Sequence, residues 1–84
     1  MNAERKAAAL KLVLDELALA EEIHPSFPHD VIHQIAVLSE ETGESVKAAL
    51  QYVYENGSMK DFRNEVAQVG AMAIRILASP VCQI

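Results

Sequence analysis

Two interruptions decide what this chain of 84 residues can fold into. The first is His24-Pro25-Ser26-Phe27-Pro28-His29. Proline lacks an amide hydrogen and clashes with the turn before it, and the residue ahead of a proline prefers extended backbone. No helix continues through Pro25 and Pro28. The second is Asn56-Gly57, a pair suited to the left-handed conformation that ends a helix. Ser79-Pro80 stops the chain once more. Between the breaks lie strong helix formers with no strand-like alternation. The pattern predicts an all-α fold in a single domain, with three helices over about 2–22, 28–55 and 58–78.

The ends and faces of these helices follow from local chemistry. Asn2 is the expected N-cap of helix one, with Glu4 in its first turn. Leu10, Val13, Leu14, Leu17 and Ala20 share one face, and Lys11, Asp15 and Glu22 lie away from it. Pro28 and Asp30 are expected in the first turn of helix two. Ser58, with Asp61 three residues on, makes a capping box for helix three. Phe62, Val66, Val69, Ala73 and Ile76 form its expected core face, with Glu65 inside that arc. Helix two is apolar on two sides. Val31, Ile35, Thr42, Val46, Ala49 and Val53 make one face, and Val37, Ala48 and Tyr52 make another that also holds Glu41 and Glu44. A helix of this kind is sandwiched between neighbours. The expected architecture is therefore an antiparallel hairpin of helices two and three inside an oligomeric helical bundle, a homodimer or homotetramer.

Composition excludes several classes of function. Twelve acidic against seven basic residues leave a net charge of −5. That argues against sequence-independent binding to nucleic acid, and against anionic membranes. The one cysteine, Cys82, cannot form an internal disulfide. The start of the chain has neither the pattern of a signal peptide nor that of a membrane span, and a soluble cytoplasmic protein is expected.

Chemistry concentrates in two stretches. Glu40, Glu41 and Glu44 fall within five residues of helix two, where three- and four-residue steps share a face. Glu65 and Gln68 share a face of helix three. Counted outward from the Asn56-Gly57 turn, Glu44 lies at about the same level of the hairpin as Gln68 and Glu65. Clustered carboxylates repel one another and resist losing water, and hard divalent cations relieve both costs. Lys47 is one turn past Glu44, where an i,i+3 ion pair competes with a phosphate contact. Lys60 and Arg63 belong to the wet face. The histidines read as cap, loop and core residues, despite the carboxylate–histidine spacing of Glu21-x-x-His24 and Asp30-x-x-His33. Phe27 reads as a hydrophobic plug. There is no glycine-rich phosphate loop, CxxC, GxSxG or HExxH.

The paired pattern Glu40-Glu41-x-x-Glu44 and Glu65-x-x-Gln68 resembles the EExxE…ExxD signature of the MazG-like all-α nucleoside triphosphate pyrophosphohydrolases. The flanking words, from Ile35 to Glu44 and from Glu65 to Arg75, are similar too, so the resemblance spans roughly residues 24–78. It implies a Mg²⁺-dependent hydrolase, with Mn²⁺ as a substitute. Such an enzyme splits a nucleoside triphosphate between its α and β phosphates into a monophosphate and pyrophosphate. It also implies Glu41, Glu44, Glu65 and Gln68 as metal ligands, and Glu40 and Glu41 as the groups that activate water. Lys47, Asn64 and Arg75 become candidates for substrate contact. The family signature ends in Asp where this chain has Gln68, an amide that can ligate but adds no charge. Two other readings stand beside this one: a non-catalytic nucleotide- or metal-binding module of the same fold, and a helical assembly protein with structural acids.

Overall fold

The computed structural model describes residues 1–84, and its regular secondary structure is all helical, without strands. Helix α1 spans Ala3–Ile23, α2 spans Val31–Tyr54 and α3 spans Met59–Ala78, followed by a 3₁₀ turn over Pro80–Cys82. No helix is long and apolar enough to cross a membrane.

The caps are built as the sequence leads one to expect at two of three starts. Asn2 accepts a hydrogen bond from the Arg5 amide, and Ser58 accepts one from the Asp61 amide. At α2 the expectation is corrected: the helix starts at Val31, not near residue 28. Asp30 is the N-cap, with extended backbone, and its carboxylate accepts from the His33 amide at 3.0 Å. Pro28 stays outside, and its carbonyl accepts from the Gln34 side-chain amide at 2.9 Å. At the other end Asn56 takes the left-handed conformation, φ 59°. The Gln51 carbonyl then accepts from both the Glu55 and Gly57 amides. A Cβ on Gly57 would lie 2.8 Å from the Gln51 carbonyl carbon, so the tight return needs glycine there.

Helix α3 is the centre of the molecule. It packs against α2 along one flank and α1 along another, while α1 and α2 barely meet. Its buried residues are Ala67, Ala71 and Met72. The expected core face is corrected accordingly: Val66 is exposed, and Phe62, Val69, Ala73 and Ile76 are only half-buried. Small side chains sit at the closest approaches, because there helix backbones come nearest. Gly70 shows this, as a Cβ on it would come 3.0 Å from a Val13 methyl of α1. Helix α2 contributes Gln34, Ser45 and Ala48 to the interior, and α1 contributes no fully buried residue. Gln34 ties the start of α2 to the end of α3, since its Nε2 donates to Ser79 Oγ at 3.0 Å as well as to Pro28. Its Oε1 is buried without a partner.

Candidate functional site: an acidic cleft and an adjoining cavity

Helices α2 and α3 enclose a polar cleft of about 270 Å³. From α2 come Glu44, Lys47, Ala48 and Gln51; from α3 come Asp61, Asn64, Glu65 and Gln68. Five residues singled out from the sequence therefore meet in one place: Glu44, Lys47, Asn64, Glu65 and Gln68. Asp61 and Gln51 join them without having been anticipated. Asp61 falls on the same arc of α3 as Glu65 and Gln68 at three- and four-residue steps, which is the signal that could have found it.

Glu41 lies on the other side of Gln68. Both line a second cavity of about 440 Å³, walled by Glu16, Leu19 and Ile23 of α1 and by Phe27 of the proline loop. The Glu41 carboxyl is pushed above the ordinary carboxylate range. Burial is the main cause, followed by the negative charges of Glu65 across on α3 and of Glu40 and Glu44 on its own helix. The acids of the two helices are thus close enough to act on one another. Glu40 is exposed and lines neither space.

Lys47 forms no ion pair with Glu44. The two salt bridges of the chain are Lys11–Asp15 and His33–Asp30, so the i,i+3 pair favoured by spacing is absent. Arg75 is half-buried and already engaged. One of its guanidinium nitrogens donates to the His24 carbonyl at 2.8 Å, and the group lies 4.6 Å from the centroid of the Phe27 ring. It clamps the proline loop over the cavity, a role that spacing along the chain does not reveal. Of the carboxylate–histidine spacings, Asp30 and His33 do meet, at 2.6 Å, as part of the α2 cap.

No group of three or more His, Cys, Asp or Glu side chains is arranged to hold a metal ion. The chemistry of the donors nevertheless suits one. Glu44, Asp61, Glu65 and the amides of Gln51, Asn64 and Gln68 offer oxygens to one polar cleft, with Lys47 the one cation on its wall. Oxygen donors with room for retained water are what a hard, strongly hydrated cation takes. In comparisons with protein-family models, curated proteins and solved structures, nothing matches this chain.

Proposed function

We propose that the protein is a divalent-cation-dependent nucleoside triphosphate pyrophosphohydrolase of the MazG-like type, cytoplasmic and assembled as a homodimer or homotetramer, with α2 and α3 as an antiparallel hairpin. The observation that carries the reading is the meeting of Glu44, Glu65 and Gln68 in one cleft, with Glu41 beside them under the field of three other carboxylates.

Glu41, Glu44, Glu65 and Gln68 would hold Mg²⁺ or Mn²⁺. When bound, the cation supplies positive charge against the phosphate oxygens, where an acidic cleft alone would repel them. The residues of the chain do the rest. Glu41 accepts the proton of the attacking water from its half-buried position beside the cleft. Water attacks phosphorus, the α–β anhydride bond breaks, and pyrophosphate leaves with the bond electrons. Lys47, free of an ion pair, faces the phosphates across the cleft, with Asn64 opposite on α3. The 440 Å³ cavity beside Glu41 takes the nucleoside, with Phe27 and Arg75 forming its wall. Glu40 contributes through its charge on Glu41.

The test is pyrophosphate release from a panel of nucleoside triphosphates with Mg²⁺ or Mn²⁺. Wild type should release it, while Glu41→Gln and Glu65→Gln should each lose at least about tenfold in rate. No release from any nucleotide, or equal release by the variants, refutes the reading. The neutral amide of Gln68, together with the unconverged acids, favours one alternative: a module that binds nucleotide or metal without turnover. Binding without hydrolysis, with activity gained in Gln68→Asp, would decide for it.

A further inference from the structure

The turn between α2 and α3 sets a labile chemical group beside the atom able to attack it. Asn56 is followed by Gly57, and the side-chain amide of asparagine is among the thermally labile groups of proteins. The chemistry is an intramolecular substitution. The backbone nitrogen of the following residue, once its hydrogen is removed, attacks the side-chain carbonyl carbon. A five-membered imide closes, ammonia leaves with the electrons of the old C–N bond, and water then opens the ring at either carbonyl. Opening at one carbonyl gives aspartate. Opening at the other gives isoaspartate, in which the main chain runs through Cβ. A side chain on the following residue shields the attacking nitrogen, and glycine has none. Asn2 precedes Ala3 and Asn64 precedes Glu65, so Asn56 alone of the three asparagines has an unshielded neighbour.

Folding withholds both requirements of the reaction at this position. The nitrogen must give up its hydrogen, and the Gly57 N–H is donated to the Gln51 carbonyl at 2.8 Å. The peptide group must also turn toward the side chain. Here the backbone of Asn56 is held in the left-handed conformation, φ 59°. The α-carbon of Gly57 sits against the last turns of α2, where an added Cβ would lie 2.8 Å from the Gln51 carbonyl carbon and 2.9 Å from the Tyr52 nitrogen. Helical backbone therefore blocks rotation of the Asn56–Gly57 peptide. Burial is not the protection, because Asn56 is exposed. The glycine that permits the tight return is the same residue that leaves the opened chain reactive.

We infer that Asn56 is a conformationally gated site of spontaneous succinimide formation, inert while the α2–α3 turn is closed and converted to aspartate or isoaspartate when the turn opens. Either product adds a carboxylate and takes the net charge from −5 to −6. Isoaspartate also lengthens the main chain at the point where the Gln51 carbonyl, accepting from the Glu55 and Gly57 amides, sets the return. Helix α3 then loses its level against α2, and Glu44 its place in one cleft with Glu65 and Gln68. The conversion keeps a permanent record of each opening. The inference stands on the turn alone and is independent of the hydrolase reading.

The experiment ages the full chain, folded in buffer and unfolded in urea, at one pH and temperature. Mass spectrometry of a digest follows the three asparagines, with isoaspartate separated from aspartate by chromatography. In urea Asn56 should convert at least about tenfold faster than Asn2 or Asn64. In buffer it should convert at least about tenfold more slowly than in urea, a ratio that corresponds to about 1.4 kcal/mol or more of opening free energy. Asn56→Gln should remove the acidic species that anion exchange resolves from fresh chain. The isoaspartate form isolated in this way should melt lower than fresh chain. Asn56→Asp, with the same charge on an unaltered main chain, should melt closer to it. Equal rates for Asn56 in buffer and urea, conversion in urea no faster than at Asn2 or Asn64, an acidic species that persists in Asn56→Gln, or an isoaspartate form that melts with fresh chain overturns the inference.

Discussion

The contact between Gly70 and Val13 offers a test of how closely α1 and α3 are fitted. A Cβ added to Gly70 would lie 3.0 Å from one Val13 methyl and 3.1 Å from the other, against ordinary contacts of about 3.4–4 Å. Two effects then oppose each other. Alanine gains about 1 kcal/mol over glycine in a helix interior, and overpacking a fitted site costs about 1–3 kcal/mol. Valine in a helix has essentially one χ1 rotamer, and its two methyls straddle the added carbon, so rotation gives no escape. Overpacking wins, and Gly70→Ala should lose about 0–2 kcal/mol, up to roughly 10 °C in melting temperature for a domain of this size. Val13→Ala should lose about 1 kcal/mol, since two methyls leave a half-buried site. Together the clash disappears while the helix gain remains. The double variant should be more stable than the sum of the singles by about 1–3 kcal/mol. Urea unfolding followed by far-UV circular dichroism, at one fixed chain concentration, measures the cycle. Additivity within about 0.5 kcal/mol would refute the reasoning, because it would mean that α1 shifts freely over α3.

Three further outcomes follow from the same structure. Because Glu41 binds its proton more tightly folded than unfolded, it contributes stability only while protonated, and that contribution is lost as pH rises from its ordinary value of 4.5 through its raised one. Glu41→Gln should therefore melt higher than wild type at neutral pH in chelator, with the gap closing in acid and narrowing when Mg²⁺ is added. Asp30 has the opposite sign: the hydrogen bonds from the His33 amide and ring hold its carboxyl below 3.8, so its contribution is present above that value and lost as pH falls below it. Asp30→Ala should melt lower than wild type at neutral pH and match it in strong acid, while Asp30→Asn should keep most of the cap. Gly57→Ala should lose more than about 1 kcal/mol in chemical unfolding, because its Cβ would press on backbone atoms of Gln51 and Tyr52 that cannot turn aside.

The helices and their punctuation were legible because they depend on neighbours in the chain. Asn2, Ser58 and Asn56 act over three or four residues, and they act as read; the Pro25–Pro28 segment breaks the chain as read, but α2 starts only at Val31. The meeting of Glu44, Glu65 and Gln68 was legible for a related reason, since a short turn fixes which levels of two helices face each other. What failed was the identity of the core. Large apolar residues dominate a helical wheel, and they pointed to the Phe62–Ile76 face of α3. Burial in the chain goes instead to Ala67 and Ala71, whose small size lets α1 and α2 approach from two sides. Gln34 escaped notice because its value lies in two long-range hydrogen bonds, which polarity alone does not announce. Arg75 reaches back 51 residues to His24, beyond any local pattern.

The central position of α3 carries a consequence for how the molecule comes apart. Hydrogen exchange ranks elements by how much each stands to lose on opening, and α1 has no fully buried residue and one neighbour. Its amides should exchange first, ahead of those of α2 and α3. Opening starts at its Asn2 end, because the other end is pinned by the bond from Arg75 to His24. Leu19 and Ile23 near that pinned end wall the 440 Å³ cavity beside Glu41. The least protected helix of the protein is therefore also the outer wall of its candidate nucleoside pocket, hinged at the guanidinium of Arg75.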